Sequence, residues 1–221
     1  MKKRYTTLFF TFLLLWIFPD HAISGQNHGM KYSRNFTITD YMLQPQNWWI
    51  TQDQRGLIYI ANQGGVLKYD GVSWETIPIP HASARSLAVD SKGRIFVGGI
   101  DELGFLKTAS NRKPEYESLT PYIDNNHRSF GKVFETYAIH DVIYFRTLKY
   151  IFRWNAAQKQ MKIMVPPTGA GNFKHYSQIC GNELLVNCDN RSHATEKRFL
   201  SGHSRQRTSG FRRYRFPGYT V

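Results

Sequence analysis

The chain has 221 residues, 41% hydrophobic and 15% aromatic, with a formal net charge of +13. That is enough for one or two ordinary domains and too apolar for a disordered polypeptide. The charge points at first to an acidic partner, but residues 1–24 carry net +2 and residues 191–221 net +7, leaving +4 for the body; nucleic-acid binding needs positive charge gathered on a folded face, so no nucleic-acid partner is expected.

Residues 1–24 read as a secretory signal peptide. Lys2, Lys3 and Arg4 form a basic start, Leu8–Phe18 is an apolar run of 11 residues, and Pro19 ends it. Ala22 and Ser24 then stand at −3 and −1 of a cleavage site, which completes the three-part pattern. The competing reading is an uncleaved anchor, but a spanning helix needs roughly 20 apolar residues. No Cys directly follows the run, which argues against a lipoprotein anchor. The expected location is the periplasm, with membrane contact only through a parent receptor.

Residues 25–190 read as strands and turns, with no helix. Repeat one has strands Trp48–Asp53, Leu57–Ala61, Val66–Tyr69 and Trp74–Pro78. Turns fall at Gln54-Arg55-Gly56, Gly64-Gly65 and Asp70-Gly71, the last a short-hairpin signal because both positions favour positive φ. Repeat two has Arg85–Val89, Ile95–Gly98, Gly104–Lys107 and Tyr116–Leu119, with a loop insertion at Ser110–Pro114. Repeat three has Val133–Ile139, Val142–Thr147, Tyr150–Trp154 and Met161–Val165; repeat four opens with Phe173–Ile179 and Leu184–Asn187. The residues before each second strand, Gly56, Gly93, Asp141 and Glu183, are spaced by 37, 48 and 42, which brackets known blade repeats. Leu57, Tyr59 and Ala61 share one strand face and Ile58 and Ile60 the other, as expected for a sheet sandwiched between neighbours. Four short strands in a meander match one propeller blade. The expected fold is all-β: an incomplete β-propeller of about three and a half four-stranded antiparallel blades.

The pattern stops near Arg191. Residues 191–221 form a basic, irregular tail that is read either as an arm for nucleic acid or membrane or as a stretch without selected structure, such as out-of-frame translation. The break inside a blade favours the second. Cys180 and Cys188 would meet an oxidising compartment, where a disulfide and two free thiols are both open.

The stretch Asn35–Trp74, with Gln46-Asn47-Trp48, Ala61-Asn62 and Tyr69-Asp70-Gly71, resembles the start of the periplasmic two-component regulator propeller family. Tyr144–Asn155 and Gly181–Val186 resemble its later blades, so the likeness covers roughly residues 35–187. The resemblance implies an extracytoplasmic sensor of a Bacteroidetes-type Gram-negative cell. Full members continue through further blades to a triple-tyrosine β domain, a membrane helix and a kinase or DNA-binding output module. None of these follows here, so the expectation is an N-terminal sensor fragment without its own output domain. Its expected partner is an oligosaccharide or another periplasmic ligand, with ligand-binding residues unknown. Open blade faces would also permit self-association. Leaving three or four large apolar side chains wet would remove roughly 5–12 kcal/mol, so the chain is expected to be marginal and aggregation-prone.

No motif of nucleophilic, metal or phosphate chemistry is present, and no catalytic, cofactor-binding or metal-ligating residue is expected. The loop Gly169-Ala170-Gly171 reads as an inter-blade connection. Asp53, Asp70, Asp90 and Asp141 lie in or beside turns, where Asp caps backbone amides. Asp101-Glu102 is weighed as a cation site and read as a solvated loop. His81, His127, His140 and His175 show no ligand spacing. Trp48, Trp49, Trp74 and Trp154 suit blade packing better than sugar stacking. The alternative to a sensor is a short secreted propeller-like enzyme acting on polysaccharide, which would need acids and histidines clustered on inner strands.

Overall fold

The computed structural model describes residues 33–108, 113–166, 170–180 and 183–190. The chain divides into units 1–35 and 36–221, and the fold set out here is that of the second. Residues 1–24, read above as a signal peptide, and the basic stretch 191–221 lie outside the described residues.

Each repeat folds as the strand–turn spacing predicts. The first sheet holds β1 (Asn47–Gln52), β2 (Ile58–Asn62), β3 (Gly65–Tyr69) and β4 (Trp74–Ile77). The second holds β5 (Ser86–Val89), β6 (Ile95–Gly98), β7 (Leu103–Thr108) and β8 (Pro114–Ser118). The third holds β9 (Glu135–Ile139), β10 (Val142–Arg146), β11 (Ile151–Asn155) and β12 (Gln160–Met164), and β13 (Ala170–Cys180) pairs with β14 (Glu183–Asn190). Neighbours in sequence pair antiparallel in every sheet. The described residues thus form three four-stranded propeller blades and two strands of a fourth.

The first twelve strands end within two residues of their expected limits. Three details differ. A single helical turn, α1 (Ile38–Tyr41), precedes β1. It is too short to show periodicity, and the Thr37 N–H donates to the Asp40 carboxylate at 2.6 Å to cap it. The Asp70-Gly71 hairpin is a four-residue loop, because Tyr69 pairs with Trp74; Gly71 has φ +99 and the Asp70 side chain closes the loop instead. Finally, β13 starts at Ala170, so Ala170 and Gly171 belong to a strand rather than an inter-blade loop.

Blades stack through both faces. The first strands pack in series, β1 on β5 and β5 on β9, and the fourth strand β4 packs on β8. Each junction buries its own apolar cluster: Tyr59, Val66, Leu87 and Val97 between blades one and two; Phe96, Leu103, Phe145 and Phe152 between two and three; Tyr144, Ile151, Phe173 and Leu184 at the third. This explains why single strands read as apolar on both sides. It also explains Gly98, where a Cβ would overlap the side chain of Val133 on the next blade.

The face of blade one that turns away from blade two is half covered. Phe36 meets Tyr69 and Trp74 edge-on at 5.1 Å, and Tyr41 meets Trp74 at 5.7 Å. Leu67 on that face is fully buried, whereas Ile50 is 64% exposed.

Candidate functional site

Each blade offers two ends, one made of hairpin turns and one where the inner strands enter. At the turn end, blades one and two repeat one device at an offset of 37 residues. Asp53 Oδ1 accepts from the N–H groups of Arg55 (2.9 Å) and Leu57 (3.0 Å), and Oδ2 takes the Arg55 guanidinium at 2.8 Å. Asp90 Oδ1 accepts from Lys92 (2.9 Å) and Arg94 (2.8 Å), and Oδ2 takes Arg94 at 2.6 Å. Gly56 and Gly93 follow at φ +86 and +75, the region that favours glycine. Burial alone would raise the Asp53 pKa, but the hydrogen bonds from Arg55 and Leu57 hold it below the ordinary carboxylate value.

A cleft of about 720 Å³ opens beside these turns, between blades one and two. Arg55, Lys68, Lys92, Arg94 and Lys107 line it. Every one of these cations is already matched, by Asp53, Glu75, Asp141, Asp90 and Glu117 respectively. Among the described residues the cleft is therefore charge-balanced.

The strand-entry end differs. β1 carries a bulge between Asn47 and Trp49, and a bulge re-aims the extra side chain. The residue so released is Trp48, 44% exposed. Adding the same 37-residue offset gives Arg85, which precedes β5 and donates its backbone N–H to Gly98 O at 2.7 Å. The Arg85 guanidinium carbon sits 4.0 Å from the centre of the Trp48 ring. Such a contact contributes about 0.5–2 kcal/mol, more as it dries. Burial pushes the Arg85 pKa down.

Two further arginines lie over rings, Arg94 over Phe96 (5.4 Å) and Arg146 over Phe134 (5.6 Å). Each also holds a carboxylate, Asp90 or Glu135. Arg85 holds none among the described residues. Its Nε is buried and donates to no acceptor, and Ser83 Oγ, two residues upstream on the same connection, is buried without a partner. Arg94 Nη2, His127 Nδ1 and Asp141 Oδ1 share that lack of a hydrogen bond, but each lies in an ion pair. An unsatisfied buried polar group costs about 1–3 kcal/mol, and its survival calls for a reason.

The other residues singled out in the sequence take structural places. Asp70 caps its loop, and N–H groups of Ser73 and Val72 lower its pKa to about 2. Asp101 Oδ1 accepts from Gly131 N–H at 2.6 Å, which ties the second blade to the segment entering the third. Glu102 is buried and accepts from Tyr116 (2.9 Å) and Ser118 (2.6 Å). The pair is thus a structural clamp rather than a solvated loop. His127 packs edge-on to Tyr150 at 5.1 Å, and His81 and His140 occupy positive-φ turn positions. The His175 side chain lies outside the described residues. No cluster of three metal-ligating side chains occurs among the described residues. Trp49 and Trp154 pack into the blade junctions, and Trp74 stacks on Tyr69 on the outward face of blade one. Cys180 pairs in register with Glu183 and Cys188 with Phe173. The side chains of both cysteines lie outside the described residues.

Sequence reasoning placed Arg85 in a strand and gave it no role. The signal was there: it occupies the repeat position of Trp48, and the segment before it, HASAR, carries no carboxylate.

No protein-family model and no curated protein matches the chain. Among solved structures it is similar to an extracellular domain assigned to a hybrid two-component system of B. thetaiotaomicron, 15% identical over 69% of this chain and 20% of that one, at a TM-score of 0.51. An extracellular domain assigned to a one-component system of the same organism is 15% identical over 64% and 19%, at 0.47. Virginiamycin B lyase from Staphylococcus aureus is 14% identical over 63% and 48%, at 0.43. The chain spans about a fifth of the length of the two B. thetaiotaomicron domains. The likeness is to the kind of protein that the Asn35–Trp74 stretch resembles, and what it establishes is the fold. No helix of the described residues is long and apolar enough to cross a membrane.

Proposed function

We propose that this chain is the ligand-reading part of an extracytoplasmic sensor, a periplasmic binding module rather than an enzyme. The observation that carries the reading is the Trp48–Arg85 pair: a ring displaced by a bulge, and a half-buried guanidinium with an unpaired Nε and no ion pair among the described residues, at the strand-entry end between blades one and two. A folding-only role would favour a matched arginine like Arg94 or Arg146. The basic and apolar start of the chain and the likeness in fold to an extracellular domain of a two-component system support the same reading. Its ligand is an oligosaccharide or another small periplasmic molecule.

The test is a thermal-shift and calorimetric screen of the full chain against periplasm-sized ligands, with product analysis by chromatography. Saturable binding that leaves the ligand chemically unchanged supports the module. Turnover of a polysaccharide would replace it with an enzyme.

A further inference from the structure

We propose that the mouth between blades one and two binds the carboxylate of a small organic acid, with Arg85 as the anchor and Trp48 as the wall beside it. This rests on the binding-module reading and names its ligand class. The first ground is the missing acceptor. Arg94 and Arg146, each seated over a ring, hold a carboxylate, and Arg85 presents the same fork with none among the described residues. A planar guanidinium matches a carboxylate through paired N–H donors. Arg85 as a whole is half-buried, so an incoming carboxylate meets the part of the fork that stays open, and Nε–H, buried without an acceptor, reports the change.

The second ground is charge. Arg85 takes part in none of the ion pairs of the described residues, so it brings one unmatched positive charge to the strand-entry end. One charge suits a monoanion better than a phosphate, which carries nearly two. The third ground is the ring. Trp48 remains 44% exposed beside the guanidinium, and an apolar wall recognises an organic body that a bare inorganic anion lacks.

The experiment titrates the full chain, labelled with nitrogen-15, with D-galacturonate and with benzoate. D-galactose is the neutral match, and inorganic phosphate tests the simpler oxyanion. Either acid is expected to move the Arg85 Nε–H resonance saturably and to bind at least about ten-fold tighter than galactose or phosphate. R85Q should weaken binding about ten-fold or more, and R85K nearly as much, since lysine keeps the charge but not the fork. W48L should weaken it several-fold. An unmoved Arg85 resonance with both acids overturns the proposal, as does R85Q binding like the parent. Phosphate moving the resonance as strongly assigns the mouth to inorganic oxyanions and also overturns it. Galactose binding with the Arg85 resonance unmoved sinks the carboxylate while leaving the binding module intact. Should R85Q fail to fold, R85K and the parent titration decide.

Discussion

Asp53 and Asp90 show how much one carboxylate does at a turn. Each closes its loop through two backbone N–H groups and an arginine. Asp53→Ala would leave the Arg55 and Leu57 amides unmet and is expected to destabilise the fold by about 1–3 kcal/mol. A denaturant titration reads this directly. Arg55→Ala should matter far less, below about 1 kcal/mol, because that side chain is 70% exposed and water replaces it. Acid provides a second check. Asp53 and Asp70 both titrate below the ordinary value of 3.8, Asp70 at about 2. A carboxylate depressed by folding contributes stability that is present above its unfolded pKa and is lost as pH falls through the folded one. The melting temperature should therefore drop between about pH 4 and pH 2, and the D53A D70A double variant should flatten that drop; an unchanged slope contradicts the assignment. The aspartates were legible in the sequence because a capping Asp ahead of Gly is a local pattern. Arg85 was not, because its meaning lies in the carboxylate it lacks, and only packing shows that.

Among elements, the blade junctions carry the stability. At the third junction Arg146, fully buried, donates to Glu135 Oε2 at 2.7 Å. Ser177 on β13 also donates to Glu135, and Tyr137 donates to Ser177 O at 3.0 Å. This network joins β9, β10 and the opening strand of the fourth blade. Removing one partner strands a buried charge, which typically costs about 3–5 kcal/mol. Glu135→Ala should do so here, whereas the double change Glu135→Leu with Arg146→Met should recover much of the loss. Equal destabilisation by the single and double variants, measured by chemical unfolding, would show that charge is not the issue. Gly98→Ala tests spacing at the second junction. Its new methyl would press on Val133 and Ser86, and overpacking of this kind costs about 1–3 kcal/mol. Strand positions were legible because period-two alternation and glycine turns are local signals. The networks were not, since Glu135 and Ser177 are 42 residues apart and nothing in the chain marks them as partners.

For the whole set of blades, the decisive surface is the face of blade one turned away from blade two. Sequence reasoning expects two open blade faces, with three or four large side chains left wet, and this is one of the two. The structure is milder. Phe36 and Tyr41 close over Tyr69 and Trp74, and Leu67 beneath is fully buried. Ile50 is the large apolar side chain left widely open there, at 64% exposure, with Ile58 and Ile60 half-buried beside it. One wet isoleucine forgoes about 1.5–3 kcal/mol, a tolerable fraction of a domain's 5–15. On this face the loss is smaller than three or four wet side chains would give, and association through it is the outcome to test. A sheet face with an exposed Ile on its edge strand gains by meeting another apolar surface, and a second copy supplies the same one. Sedimentation velocity of the full chain should show a concentration-dependent shift above the monomer. Ile50→Lys places a charge where the faces would meet and should return the chain to monomer with little change in melting temperature, since the side chain is mostly in water already. A parent chain that stays monomeric across a hundred-fold dilution series, or an I50K variant that associates as before, places the contact elsewhere.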